Sequence, residues 1–379
     1  MSGPAYPTAH TVSGTLEAYF ARHIGAAAQL DTHNLAVAPG AQAIETIIDT
    51  ALWASLLREE GYSPKISLAF LSPEQAGNPL QFERQLPLTP HVLARLAPAV
   101  ERPGIHLGVW PQQDELRIWG TTRTIPRLCF VLEVVEPGLL VVKYRRRQDT
   151  GKYANVVVLK GDEIKLVDEK GTRLPDCPSL ITKLLSFGSQ ELDNGAINVL
   201  MQLAVSMRAH GRGGSLLIVP QDSERWRESI LQPIPYLVSP HYPELAELMR
   251  KDPQQKSQQT WQEAFIDAVD AIAGLTAVDG AALMTDQYEL LSFGAKIARR
   301  DGGVRIEQVI ITEPVIDGSA SVVHPLELGG TRHLSAAQFV HDQRDAIALV
   351  ASQDGKFTIF AWSECETTVH AHRIDMLLL

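Results

Sequence analysis

Cysteine is scarce in this chain of 379 residues. It contains three cysteines, Cys129, Cys177 and Cys365, whose spacing matches neither a metal site nor a disulfide framework. Basic residues are also fewer than acidic ones, with 34 lysines and arginines against 44 aspartates and glutamates. The resulting net charge of −10 excludes a general nucleic-acid binder, because such a protein presents a basic face to phosphates. The few scattered cysteines indicate a reducing compartment.

Long apolar runs are also missing. No run approaches the roughly 20 residues that a membrane helix needs. Residues 1–10 lack both the charged start and the apolar stretch of a signal peptide. We therefore expect a cytoplasmic protein without a membrane partner. Apolar residues make up 45% of the sequence and charged residues 21%, which is typical of globular domains, and the length favours two or three of them.

The first 170 residues predict an N-terminal domain of helices plus an antiparallel β-meander. Apolar residues recur at helical spacing over Ala41–Glu60, and Gly61 follows as a stop. Short alternating or apolar runs separated by turn residues fill 104–168, which is the pattern of consecutive strands. The basic run Lys143–Arg147 lies at a strand end. It predicts a solvated hairpin end, with binding of an acidic partner or a phosphate as the alternative.

A change of pattern marks the second half of the chain. Residues 171–192 begin with a glycine and two prolines, which interrupt regular secondary structure, and this predicts a linker. Residues 193–379 then alternate helical and apolar strand patterns, which favours an α/β domain with a mixed sheet flanked by helices. The polar, proline-containing segment 221–260 predicts an insertion that runs over the surface of this domain.

One stretch, 326–362, combines features of an anion site. Two glycines precede Thr331, Arg332 and His333, and a helix is predicted to open at Ser335. A helix N-terminus offers free N–H groups and the positive end of the dipole, and arginine can grip a phosphate with two donors. The alternative is a turn whose arginine and histidine only bond neighbouring carbonyls.

A second element lies upstream. Asp279, Gly280 and Ala281 open a short apolar strand, and a carboxylate at such a strand end can hold a hard cation close to a substrate. A turn aspartate that bonds its own backbone is the alternative. The order Asp-Gly-Ala, Gly-Thr-Arg-His and an apolar strand ending in Ser352 resembles the diadenylate cyclase domain over roughly 193–362. The whole chain resembles the divergent DACNV type of probable sensor domain, in which a strand-rich N-terminal domain precedes the cyclase-like half.

The resemblance implies specific roles. A diadenylate cyclase joins two ATP into cyclic di-AMP and releases pyrophosphate, with two copies face to face, so a homodimer is implied. Asp279 would bind Mg²⁺ or Mn²⁺ and activate the hydroxyl, while Gly280 and Ala281 let sugar and base approach. The nucleotide-binding turn would comprise Gly330, Thr331, Arg332 and His333, with Ser352 reaching the phosphates from the next strand.

The sequence departs from active cyclases at three positions. Leu334 stands where a second arginine is usual, which removes five donors and a permanent charge. Gln353 and Asp354 replace a common glutamate pair. We therefore expect a sensor that binds a purine nucleotide with weak or no turnover. An active diadenylate cyclase and an interaction protein with a vestigial pocket remain the alternatives.

Overall fold

The chain folds into two compact units. The contacts group Met1–Glu169 with Leu379 in one unit and Lys170–Leu378 in the other. Each unit combines helices with a mixed sheet, which confirms the expected two-domain α+β fold. The predicted linker 171–192 lies outside the described residues. The computed structural model describes residues 5–30, 34–59, 61–145, 153–167, 198–256, 258–316 and 318–379.

Within its described residues, the N-terminal unit packs three helices against an eight-stranded sheet. Leu16 and Phe20 of the first helix and Ile44 of the second belong to its main core. The helices are α1 (Pro7–Leu30), α2 (Ala41–Ser55) and α3 (Pro90–Val100). The strands are β1 (Ile66–Phe70), β2 (Leu80–Pro87), β3 (His106–Gln112), β4 (Glu115–Thr122), β5 (Phe130–Glu136), β6 (Leu139–Arg145), β7 (Tyr153–Lys160) and β8 (Glu163–Leu166).

The N-terminal sheet differs from an uninterrupted antiparallel meander. Its order is β2-β4-β3-β1-β5-β6-β7-β8, so β1 separates the β3–β4 hairpin from the β5–β8 meander. Strand β1 is parallel to β3 and antiparallel to β5. All five of its residues are buried, which explains its central position. Strand β2 was missed because it is an edge strand without a buried residue.

The basic run of this unit is not simply a solvated hairpin end. Lys143 is 7% exposed and forms an ion pair with Glu133 on the neighbouring strand. Arg145 donates from Nη1 to the carbonyl of Ile125 at 3.0 Å. The interpretation as a solvated end is therefore wrong for Lys143, while Arg146 and Arg147 lie outside the described residues.

The C-terminal unit surrounds a nine-stranded mixed sheet with helices. The helices among its described residues are α4 (Val199–Ala209), α5 (Glu244–Arg250), α6 (Pro253–Lys256), α7 (Gln259–Leu275), α8 (Pro325–Gly329) and α9 (Thr331–Asp342). Its strands are β9 (Gly214–Val219), β10 (Tyr236–Tyr242), β11 (Ala281–Thr285), β12 (Leu290–Ala295), β13 (Val309–Thr312), β14 (Ser321–Val323), β15 (Ile347–Ala351), β16 (Phe357–Ser363) and β17 (Thr368–Arg373).

The sheet of this unit is covered on both faces. The strand order is β10-β12-β11-β9-β15-β16-β17-β13-β14, with β9 and β11 parallel near its centre. Along β9, Leu216 and Ile218 join the core that contains α4 and α7. The alternate residues Leu217 and Val219 join the core that contains α9. The continuous apolar sequence of β9 follows from this double burial.

Two segments of this unit differ from the sequence expectations. Within 221–260, strand β10 pairs with β12 and forms one edge of the sheet, so this segment does more than cross the surface. Helix α9 begins at Thr331 instead of Ser335, which places Arg332 and His333 in its first turn. Among the described residues, no helix is both long and apolar enough to cross a membrane.

Buried histidine predicts acid sensitivity of the C-terminal unit. Burial, with the charge of His370 acting in the same direction, lowers the pKa of His372 from 6.5 to about 3. In the unfolded chain His372 binds a proton below about pH 6.5, whereas in the folded unit it binds one only below about pH 3. Its stability should therefore fall as the pH drops through this window, by up to about 1.4 kcal/mol per pH unit.

The His372→Gln variant, measured by chemical denaturation at several pH values, should show a shallower loss of stability towards acid. The exposed His91 supplies the control, and His91→Gln should retain the slope of the unaltered protein. If His372→Gln and the unaltered protein share one pH profile, the buried imidazole is not the cause.

Candidate functional site

Three separated segments meet at one edge of the C-terminal sheet. Strand β15 ends where β9 begins, because Ala351 pairs with Gly214. Strand β11 runs parallel to β9 and starts at the same edge, since Ala282 pairs with Leu216. The segments predicted from the sequence as site elements thus converge there. We call this the candidate edge, defined by Gly213, Asp279, Gly280, Arg332 and Ser352.

The backbone at Gly280 is held close to the neighbouring strand. Gly280 has φ +114°, and a Cβ there would lie 2.4 Å from the carbonyl carbon of Gly294. Gly294 itself has φ +65°. Both positions therefore require glycine. Ala281 is buried as the first residue of β11, so its side chain serves the core.

The Arg332 side chain lies across the turn before β9. Its Nη1 atom is 2.9 Å from the position of a Cβ on Gly213, whose φ is +72°. Within the described residues, the Arg332 guanidinium forms no hydrogen bond or ion pair that meets ordinary distance limits. A half-buried arginine without a carboxylate partner is a strong candidate for binding an anion.

The start of α9 adds further donors. Gly330 is the N-cap, with φ +80°, and no side chain caps the helix. Thr331 is the exposed first helical residue. The first N–H groups of α9 therefore have no side-chain cap, and they lie at the positive end of the helix dipole.

His333 lies beneath this helix start and not on the open surface. It is 1% exposed; Nδ1 lies 3.0 Å from the Gly329 carbonyl and Nε2 lies 3.4 Å from Thr358 Oγ1. Burial lowers the pKa of His333, and the hydrogen bond with Gly329 opposes this effect. A side chain bonded on both ring nitrogens orients the turn rather than facing a ligand. The position of His333 therefore fits the alternative given above, in which the histidine only bonds a neighbouring carbonyl.

Asp279 faces solvent and pairs with a residue that sequence reasoning missed. Lys296 forms an ion pair with the Asp279 carboxylate. This hydrogen bond and the Lys296 charge lower the pKa of Asp279, and the Arg332 charge lowers it further. Lys296 directly follows β12, whose Ala295 pairs with Ala281. Only the pairing of β11 with β12 brings the two together, so no local signal in the sequence identifies it.

The chemistry of this edge supplies one possible metal ligand. In the part of the chain that the structure describes, no group of three or more histidine, cysteine, aspartate or glutamate side chains is arranged to hold a metal ion. A lone carboxylate fits Mg²⁺ or Mn²⁺ only when phosphate oxygens and water complete the coordination shell. Asp279 can fill that single position after separating from Lys296.

The Ser352 hydroxyl forms its hydrogen bonds within the β15–β16 turn. It bonds the Asp354 carboxylate and the Lys356 carbonyl, and it accepts from the Lys356 amide at 3.1 Å. The hydrogen bonds from Ser352 and Lys356 lower the pKa of Asp354 to about 2. Ser352 therefore lies at the candidate edge but would need to exchange a turn contact to reach a ligand.

A stacked aromatic pair with one exposed ring borders the same edge. Tyr236 is 49% exposed and stacks on Phe293, with ring centroids 4.7 Å apart and an interplanar angle of 10°. Its Cδ2 atom lies 2.7 Å from the position of a Cβ on Gly294. The tyrosine comes from the segment expected to be a surface insertion, which is why it was not selected as a site residue.

One family model matches the chain. Residues 33–123 match the probable sensor domain DACNV. The matched region begins before α2 and ends just after β4, so it belongs to the N-terminal unit. No curated protein matches the chain. The DACNV resemblance is thereby supported for this region, whereas the relationship of 193–362 to diadenylate cyclases remains a prediction.

Leu334 directly follows His333 near the start of α9. Its half-buried side chain packs against the core beneath α9. It therefore contributes apolar contacts and offers no donor to the candidate edge.

The Gly280→Ala substitution should be strongly destabilising. The new methyl group would meet the Gly294 backbone, and the positive φ adds strain, so we expect a loss of about 2 kcal/mol or more. Gly274→Ala is the matched control. It lies in α7 with open space around it, and alanine there should stabilise by about 0.5–1 kcal/mol. Thermal melts that show equal effects for the two variants would contradict the close approach of β11 and β12.

Proposed function

We propose that the C-terminal unit binds a purine nucleotide at the candidate edge and that the protein acts as a nucleotide-responsive sensor. The observation that carries this proposal is the Arg332 guanidinium, which has no partner among the described residues and lies beside an uncapped helix start. Arginine and free N–H groups together favour a phosphate group.

The remaining parts of a nucleotide have complementary surfaces nearby. Tyr236 offers an exposed ring on the outer side of its stack with Phe293, and a purine base can stack on such a ring. Gly280 and Gly294 pack against each other and carry no side chains, and we place the sugar over this stretch of backbone. The proposed arrangement puts the base at Tyr236 and the phosphates at Arg332.

A divalent ion would accompany the phosphates. Asp279 would hold Mg²⁺ or Mn²⁺ with the phosphate oxygens, and the ion would neutralise phosphate charge. Lys296 would then lose its carboxylate partner and become a further donor for the phosphates. His333 would keep its place below the turn and hold Gly329 in position.

Binding without turnover is the form of the proposal that this edge favours. Charge neutralisation on a transferring phosphoryl group needs several positioned donors. Leu334 packs into the core instead of supplying a second guanidinium. The edge therefore supports recognition of phosphates more than their transfer, which is the expected property of a sensor.

The Arg332→Gln variant tests the proposal. ATP at millimolar concentration should raise the melting temperature of the unaltered protein by mass action. Loss of one charge-assisted grip should weaken binding by about tenfold to a hundredfold. Arg305→Gln removes an exposed arginine from the loop between β12 and β13 and should leave binding unchanged.

Two results would contradict this function. Melting curves unmoved by adenine and guanine nucleotides would remove the binding claim. Robust formation of cyclic di-AMP from ATP and Mn²⁺, detected by mass spectrometry and lost in Asp279→Asn, would instead establish the enzyme.

The Asp279→Asn variant separates the metal from the nucleotide. It keeps the size of the side chain and removes the charge that a hard cation prefers. Titration calorimetry should show that Mg²⁺ strengthens nucleotide binding in the unaltered protein and has little effect in the variant. If Mg²⁺ strengthens binding equally in both proteins, Asp279 is a partner of Lys296 alone and not a metal ligand.

A further inference from the structure

A cleft lies at the end of α9 that is opposite to the candidate edge. Helix α9 has 12 residues, and the ten residue steps from Arg332 to the cleft wall at Asp342 span about 15 Å. The cleft has a volume of about 480 Å³. Its walls also come from the loop between β12 and β13 and from the 3-10 helix Arg225–Ser229. This volume is within the range of small-molecule sites.

Three arginines from three different segments line this cleft. They are Arg225 after β9, Arg300 after β12 and Arg344 after α9. Across the described residues, none of the three guanidiniums has a hydrogen bond or an ion pair within ordinary distance limits. Positive charges around one cavity that form no hydrogen bond or ion pair favour an anion.

Hydrogen bonds to α9 hold one wall of the cleft in place. The Arg300 amide donates to Asp342 Oδ2 at 3.0 Å. Gln338 donates from Nε2 to the Val304 carbonyl at 3.0 Å and accepts from the Ile306 amide at 2.9 Å. The loop that carries Arg300 is therefore fixed before any ligand binds, which reduces the entropic cost of binding.

The other arginines are also supported. Gln343 donates to Ser229 Oγ at 2.9 Å in a buried contact, which ties the 3-10 helix of Arg225 to the end of α9. The Arg344 guanidinium lies 4.0 Å from the ring centroid of Trp362. This stacking holds its plane while leaving its N–H donors free for a ligand.

The acidic residues of the cleft limit the charge of its ligand. Asp342 is buried and already accepts from Gln338 and the Arg300 amide. Asp345 and Glu364 are exposed lining residues whose carboxylates would repel a polyanion and accept from hydroxyl groups. We propose that this cleft is a second ligand site, which binds a small hydroxylated molecule carrying one phosphate monoester. The three arginines bind the phosphate, and Asp345 and Glu364 accept hydroxyl groups.

The experiment uses ribose 5-phosphate and ribose as probes, with the full chain and titration calorimetry. Ribose 5-phosphate should bind and ribose should not. Arg300→Gln and Arg344→Gln should each weaken binding of ribose 5-phosphate at least tenfold. Arg305→Gln removes an exposed arginine of the same loop that does not line the cleft, and it should leave the affinity unchanged.

Two further controls keep the cleft distinct from the candidate edge. Arg332→Gln should reduce nucleotide binding and leave the affinity for ribose 5-phosphate unchanged. The ligand-free melting temperature of each cleft variant should match that of the unaltered protein, because their guanidiniums support no other described contact except stacking on Trp362. Lack of binding at millimolar ribose 5-phosphate would overturn the proposal. So would full affinity in both cleft variants, or loss of binding in Arg332→Gln.

Discussion

The placement of α9 against the sheet is the constraint on which both sites of the C-terminal unit depend. Ala336, Ala337, Phe339 and Val340 have no exposed surface and belong to the core on that face of the sheet. Because these residues anchor the helix in the core, its two ends have fixed positions. The first turn presents Arg332 to the candidate edge, and the last turn holds the cleft walls. Dense packing leaves little room for the helix to shift without cost.

Much of the C-terminal fold could be predicted because its central strands are buried on both faces. Such strands read as continuous apolar runs, as in Gly214–Val219 and Ile347–Ala351. The convergence of Asp279, Arg332 and Ser352 at one edge also follows from strand order. Edge strands are harder to predict, since β10 is mostly exposed and contains a proline. The sequence therefore gives no signal that Tyr236 lies beside the site.

Side-chain roles were less predictable than positions, because burial depends on distant segments. His333 follows Arg332 directly, yet the His333 ring packs near Phe360, whereas the Arg332 side chain lies against Gly213. The sequence predicts the start of α9 at Ser335, later than the observed start at Thr331, because the first turn is polar and follows two glycines. Lys143 shows the same limitation, since its burial depends on a glutamate ten residues away on the neighbouring strand.

Hydrogen–deuterium exchange with and without nucleotide tests the central claim most directly. Ligand bound at the candidate edge should slow exchange of the free amides at the start of α9, in Thr331–His333, and of the backbone around Gly280. The core of the N-terminal unit should be unaffected. Nucleotide-dependent protection confined to other segments, with unchanged exchange at Thr331–His333, would contradict the assignment of the phosphate site to this helix start.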